Sequence, residues 1–89
     1  MTEQTRSLAD LIRASGLPDD TSVRALEDPG VTTAPVAWHT TKPLTRADVL
    51  TFGDLTDYTD EALVGIPFFG PNRLKALKAA VRGAGTETP

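Results

Sequence analysis

The chain has 89 residues, 39% of them hydrophobic, a formal charge of −3, one histidine and no cysteine. That length supports one small domain around a single apolar core. It excludes a disulfide framework and a thiolate metal site, and His39 alone does not make a zinc site of the usual kind.

Residues 1–6 are polar and are expected to be disordered. Ser7 caps a short helix with an apolar face of Leu8, Leu11 and Ile12, ended by Gly16 and Pro18. The polar start from Met1 to Ala9 is unlike a signal peptide, and no run of about 18 apolar residues offers a membrane helix. A cytoplasmic protein without membrane contact is expected. Asp20 or Thr21 caps a second short helix through Val23 and Leu26, which stops at Asp28-Pro29-Gly30. From Val31 to Leu44 there is no helical period. Its prolines and threonine pairs predict an extended segment, with Trp38 plugged into the core.

Thr45-Arg46-Ala47-Asp48 has the spacing of a capping box, so a helix is predicted to begin there. Phe52-Gly53-Asp54-Leu55 reads as a turn into another short helical piece. Thr59-Asp60-Glu61 starts a helix to about Val64, with acids in the first turn where the helix dipole favours them. Pro71 or Asn72 opens the last helix, whose buried stripe is Leu74, Leu77 and Val81. Gly83 and Gly85 end it, and residues 84–89 are a tail. The expected fold is all-α, one domain over residues 7–83 in two parts, 7–44 and 45–83. It has about five short helices and one extended segment across the surface.

Charge is uneven along these elements. Residues 1–44 carry four Lys/Arg and six Asp/Glu, residues 45–61 one and five, and residues 62–89 four and one. The positive stretch starts at Gly70-Pro71-Asn72-Arg73. The first turn of a helix has N–H groups without intrahelical partners and carries partial positive charge. Gly70 lets a bulky phosphate approach the main chain, and Pro71 sets φ for the first turn. Asn72 and Arg73 add donors at the same opening, which together describe an anion-binding helix start. Lys75 and Lys78 add positive field, while Arg82 reads as a last-turn cation. In isolation these cations would be a solvated helix face; the Gly-Pro-Asn turn ahead of them favours phosphate contact.

Other constellations have plainer explanations. Asp54, Asp57, Asp60 and Glu61 read as caps and first-turn acids rather than metal ligands, and the calcium-loop pattern is absent. His39 has no cysteine or paired carboxylate to activate it. Phe52, Tyr58 and Phe69 are expected in the core, and Phe68 is the aromatic left for the surface. Ser7 to Leu26 has the outline of a helix-turn-helix. However, Pro18-Asp19-Asp20 puts acid at the recognition helix, where it would repel phosphate, so a plain helical hairpin is favoured.

Leu63-x-x-Ile66-Pro67-Phe68-Phe69-Gly70-Pro71-Asn72-Arg73-Leu74 resembles the helix-hairpin-helix motif, a family whose hairpin amides grip DNA phosphates without reading sequence. Thr51, Gly53-Asp54-Leu55, Tyr58-Thr59, Glu61, Leu63, Ile66, Phe69-Gly70, Leu74 and Lys78 follow the order and spacing of one relative. That relative is the C-terminal domain of the bacterial RNA polymerase α subunit, and the similarity covers roughly residues 49–81. The resemblance implies a small non-enzymatic DNA-binding protein, transcription-associated and bacterial or phage-like, with no cofactor. It implies nucleic-acid contacts at Gly70, Asn72, Arg73, Lys75 and Lys78. Arg24, in Ser22-Val23-Arg24-Ala25-Leu26, matches the context of a DNA-reading arginine, although farther ahead of Gly53-Asp54-Leu55 than in the polymerase domain.

Two positions depart from the pattern. Phe68 stands where the family has Gly, or Asn in the polymerase domain, and a β-carbon there is costly if φ is positive. Asn72 replaces the usual lysine, with the charge moved to Arg73. Backbone contacts fix position and carry little sequence information. Roughly three or four phosphate contacts give a log–log salt slope of about −3 and weak binding. A homodimer, or a partner such as RNA polymerase, would then supply affinity. The competing class is a protein-interaction module on the same scaffold, with the acidic stretch from Asp48 to Glu61 and Phe68 as its contact surface. No nucleophile–base pair or metal set is legible, so no enzyme is expected.

Overall fold

The computed structural model describes residues 7–84. In chain order they form α1 (Leu8–Ser15), a 3-10 helix (Val23–Glu27), α2 (Trp38–Arg46), α3 (Phe52–Thr56), α4 (Asp60–Val64) and α5 (Gly70–Ala84), with no strand among them. The all-α class read from the sequence holds.

α1 is opened by Ser7, whose hydroxyl accepts from the Asp10 N–H at 3.1 Å, and closed by Gly16 at φ 77°. So short a helix has no stability of its own. Burial of Leu8, Leu11 and Ile12 against α3 and α5, on the order of 1.5–3 kcal/mol for each full side chain, holds it in place.

The 3-10 helix is capped by Ser22, not by Asp20 or Thr21. The residues before it make a turn, closed by Thr21 N–H donating to Pro18 O at 3.2 Å, and are then pinned to the segment before α3 by an isolated antiparallel bridge between Ser22 and Thr51. Thr21 O accepts from Phe52 N–H at 2.9 Å, Asp19 O from Gly53 N–H at 2.8 Å, and Val23 N–H donates to Leu50 O at 2.9 Å. The 3-10 helix starts at the last of these pairings, with Val23 and Leu26 fully buried.

The segment after it is tied down at several points. Asp28 accepts from Gly30 N–H at 2.8 Å, the Thr32 hydroxyl donates to Ala80 O at 2.7 Å, and Val36 N–H donates to Leu26 O at 2.9 Å.

The largest correction lies next. An extended segment was expected up to Leu44 and a helix start at Thr45, but α2 occupies Trp38–Arg46 and ends where a start was expected. Its N-cap, Ala37, offers no side-chain hydrogen bond, so no capping signal marks the entry. Pro43 lies inside it, a placement that costs about 3 kcal/mol in an isolated helix. Thr40, Thr41, Pro43 and Leu44 are buried, and α2 packs on the 3-10 helix and α5. That tertiary burial overrides the local preference. Asp48, at φ 64°, turns the chain away, so Thr45 and Asp48 belong to a helix end. Trp38 sits at the first turn and is 60% exposed; it is no core plug.

The capping box belongs to α3 instead. Thr51 Oγ1 accepts from Asp54 N–H at 3.2 Å, and the Asp54 carboxylate accepts from Thr51 N–H at 3.2 Å and Leu50 N–H at 3.0 Å. Thr59 caps α4, accepting from Ala62 N–H at 3.1 Å. α5 buries Leu74, Leu77, Ala80 and Val81. Gly83 does not end α5. A Cβ on it would lie 2.6 Å from Thr33 Oγ1 and 2.7 Å from Thr32 Oγ1, so this glycine permits a close crossing, and Ala84 is still helical. Residues 1–6 and Gly85 onward lie outside the described residues. One apolar cluster joins every helix, with Phe52 and Phe69 buried and Tyr58 packed half-buried against it.

Candidate nucleic-acid interface

The connection from α4 to α5 is built from two stacked turns. Gly65 N–H donates to Glu61 O at 3.2 Å and Ile66 N–H to Leu63 O at 3.0 Å, closing α4. Phe69 N–H then donates to Ile66 O at 3.0 Å. With Pro67 second and Phe68 third at φ 68°, this is a type II arrangement. Ile66 and Phe69 are buried and anchor the turn, while Phe68 is 78% exposed. The site therefore does take the positive φ that makes a β-carbon costly, at about 1–2 kcal/mol for a non-glycine residue. Gly70 follows at φ 77°, and a Cβ there would meet nothing within 4 Å, so the space over the main chain is open.

Arg73 stands one turn into α5. Its Nη1 donates to Phe69 O at 3.5 Å, and its Nε is buried with no hydrogen-bond partner. Between the hairpin and α2 lies a groove of about 200 Å³, lined by Trp38, His39, Lys42, Arg46, Phe68 and Arg73 among others. Three of these are cations, and no acid lines it. Lys42 Nζ lies 5.2 Å over the Trp38 ring, and the His39 ring meets Trp38 edge-on at 5.7 Å. Across Trp38 and Lys42 a second hollow of about 350 Å³ includes Arg24, Glu27, Thr41 and Thr45. Glu27 is occupied there, by Arg24 Nε at 3.7 Å and by the Thr41 hydroxyl.

The residues singled out in the sequence are thus divided. Gly70, Asn72 and Arg73 stay with Phe68 at the hairpin, and Arg24 borders the same α2 face. Lys75 and Lys78 line a different hollow with Pro71 and Arg82. Lys78 is moreover engaged: its Nζ is 2.7 Å from Asp60 Oδ2, with the side chain 13% exposed. Asp60 Oδ1 accepts from Leu8 N–H at 2.9 Å, so this pair ties α1, α4 and α5 together. Lys78 therefore has a place in the fold through this pair. Trp38, His39, Lys42 and Arg46 were missed. The four-residue steps from Trp38 to Lys42 to Arg46 put them on one helical face, a signal hidden by reading Pro43 as a break.

Asp54 and Asp60 use their carboxylates within the fold. Backbone N–H donation from Leu50 and then Thr51 holds the Asp54 carboxyl below its ordinary value. Asp57 ends α3. No group of His, Cys, Asp or Glu among the described residues could hold a metal ion. No described helix is long and apolar enough to cross a membrane. In comparisons with known proteins, no family model, curated protein or solved structure matches the chain.

Proposed function

We propose that the protein is a small non-enzymatic DNA-binding protein that grips phosphates through the α4–α5 hairpin and the adjoining face of α2. The observation that carries this reading is electrostatic. Lys42, Arg46 and Arg73 converge on one groove with no acid among its lining residues, on a chain whose net charge is −3. The open main chain at Gly70 supports it, since the first-turn N–H groups of Asn72 and Arg73 precede the intrahelical ladder. The likeness of residues 49–81 to the polymerase α C-terminal domain suggests a transcription-associated role, with RNA polymerase or a second copy supplying further affinity.

Three to four phosphate contacts predict weak binding with a log–log salt slope of about −3. Fluorescence anisotropy of labelled duplex DNA over a range of salt concentrations tests this. The double substitution Lys42→Glu with Arg46→Glu should abolish saturable binding, whereas Arg13→Glu, which changes an exposed α1 cation paired with Asp10, should not. Equal losses from both would mean that net charge, not this face, governs binding.

A protein partner is the second reading, and the exposed Phe68 favours it. In that case Phe68→Ala would abolish partner binding while Arg73→Glu left it intact.

A further inference from the structure

We infer that the groove between α2 and the hairpin takes an unpaired base of a single-stranded nucleic acid. Phe68 is its stacking face, and Lys42, Arg46 and Arg73 meet the flanking phosphates. The inference rests on the proposed nucleic-acid reading and narrows its ligand from intact duplex to a strand with an accessible base.

A phosphate grip needs only amides and cations, yet two large aromatics stand exposed at this groove, Trp38 at 60% and Phe68 at 78%. Phe68 is the more telling. It occupies a left-handed turn position, φ 68°, where glycine would be unstrained, and its ring is outside the core. A bulky side chain held in a disfavoured conformation without burial points to a use for the ring itself. Trp38 is braced, with His39 at its edge and Lys42 over it. Phe68 makes no ring contact among the described residues, so its face is free. A cavity of about 200 Å³ suits one planar heterocycle, and away from its ends a duplex cannot present a base face without unstacking. Cations along a groove with an aromatic platform are what sequence-tolerant binding of single strands requires. The three cations and absent acids complement a polyanion better than a neutral peptide.

Trp38 is the chain's one tryptophan, so its emission reports directly on the groove. The experiment titrates the full protein with a labelled oligothymidylate and with a blunt duplex of the same length, reading anisotropy and Trp38 emission. The strand should bind about tenfold more tightly than the duplex and quench Trp38. Phe68→Ala, checked for folding by circular dichroism, should cost the strand about tenfold in affinity and change the duplex by less than about twofold. Phe68→Trp should keep the preference. A duplex that binds as well as the strand, with Phe68→Ala affecting neither, would overturn the base pocket and leave the phosphate grip standing. No binding of either at low salt would overturn both, and assign the aromatic groove to a protein.

Discussion

Replacing Phe68 with glycine should relieve strain that alanine leaves in place. At φ 68° the left-handed backbone costs any residue with a Cβ about 1–2 kcal/mol. Glycine avoids that cost but gives up about 0.5–1 kcal/mol in unfolded-chain entropy. Both substitutions lose the same ring, which is already 78% exposed, so the difference between them isolates the backbone. Phe68→Gly should therefore be more stable than Phe68→Ala by about 0.5–1 kcal/mol. For a domain of this size that corresponds to about 2–8 °C in Tm. Ala79→Gly, at an exposed site inside α5, should show the opposite sign, destabilising by about 1 kcal/mol. Urea and thermal unfolding followed by far-UV circular dichroism measures all of these, with an unchanged urea slope showing that the same surface unfolds. If Phe68→Gly were less stable than Phe68→Ala by the amount seen at Ala79, the turn would not be left-handed. The strain argument would then fail.

Gly83→Ala should destabilise by about 1–3 kcal/mol despite the better helix propensity of alanine, because the new Cβ meets the buried Thr32 hydroxyl that holds Ala80 O. A rise in Tm would refute the close crossing. Lys78→Met should cost about 1–2 kcal/mol, less than a fully buried pair because Asp60 keeps 29% side-chain exposure. A double-mutant cycle with Asp60→Asn should return a coupling energy, and none would mean that the pair is idle. Asp54 titrates below its ordinary value when folded, so its contribution is fully present above the ordinary carboxylate range. It is lost as the pH falls through the lowered value. Asp54→Asn should therefore flatten the acid limb of a Tm-against-pH profile, and an unchanged limb would contradict the capping role.

Local chemistry made much of this fold legible. Ser7 and Thr59 announce α1 and α4 because a side-chain oxygen must meet a first-turn N–H, and Leu74, Leu77 and Val81 mark α5 by their spacing. α2 was not legible, because Ala37 gives no cap and Pro43 argues against a helix that only packing on the 3-10 helix and α5 sustains. The groove was lost with it, since Trp38, Lys42 and Arg46 share a face only once α2 exists. Gly83 read as a stop because sequence does not show that Thr32 and Thr33 cross beside it. Lys78 read as a free cation because Asp60 reaches it only through the packing of α4 on α5.

Backbone amide shift mapping tests the central claim most directly. The isotope-labelled protein would be titrated at low salt with a DNA duplex bearing a single-stranded overhang. The account predicts perturbations concentrated at residues 38–46 and from Ile66 to Arg73, led by Phe68 and Arg73 and suppressed by added salt. Shifts centred on the acidic stretch from Asp48 to Glu61, or no shifts from a folded protein, would contradict it.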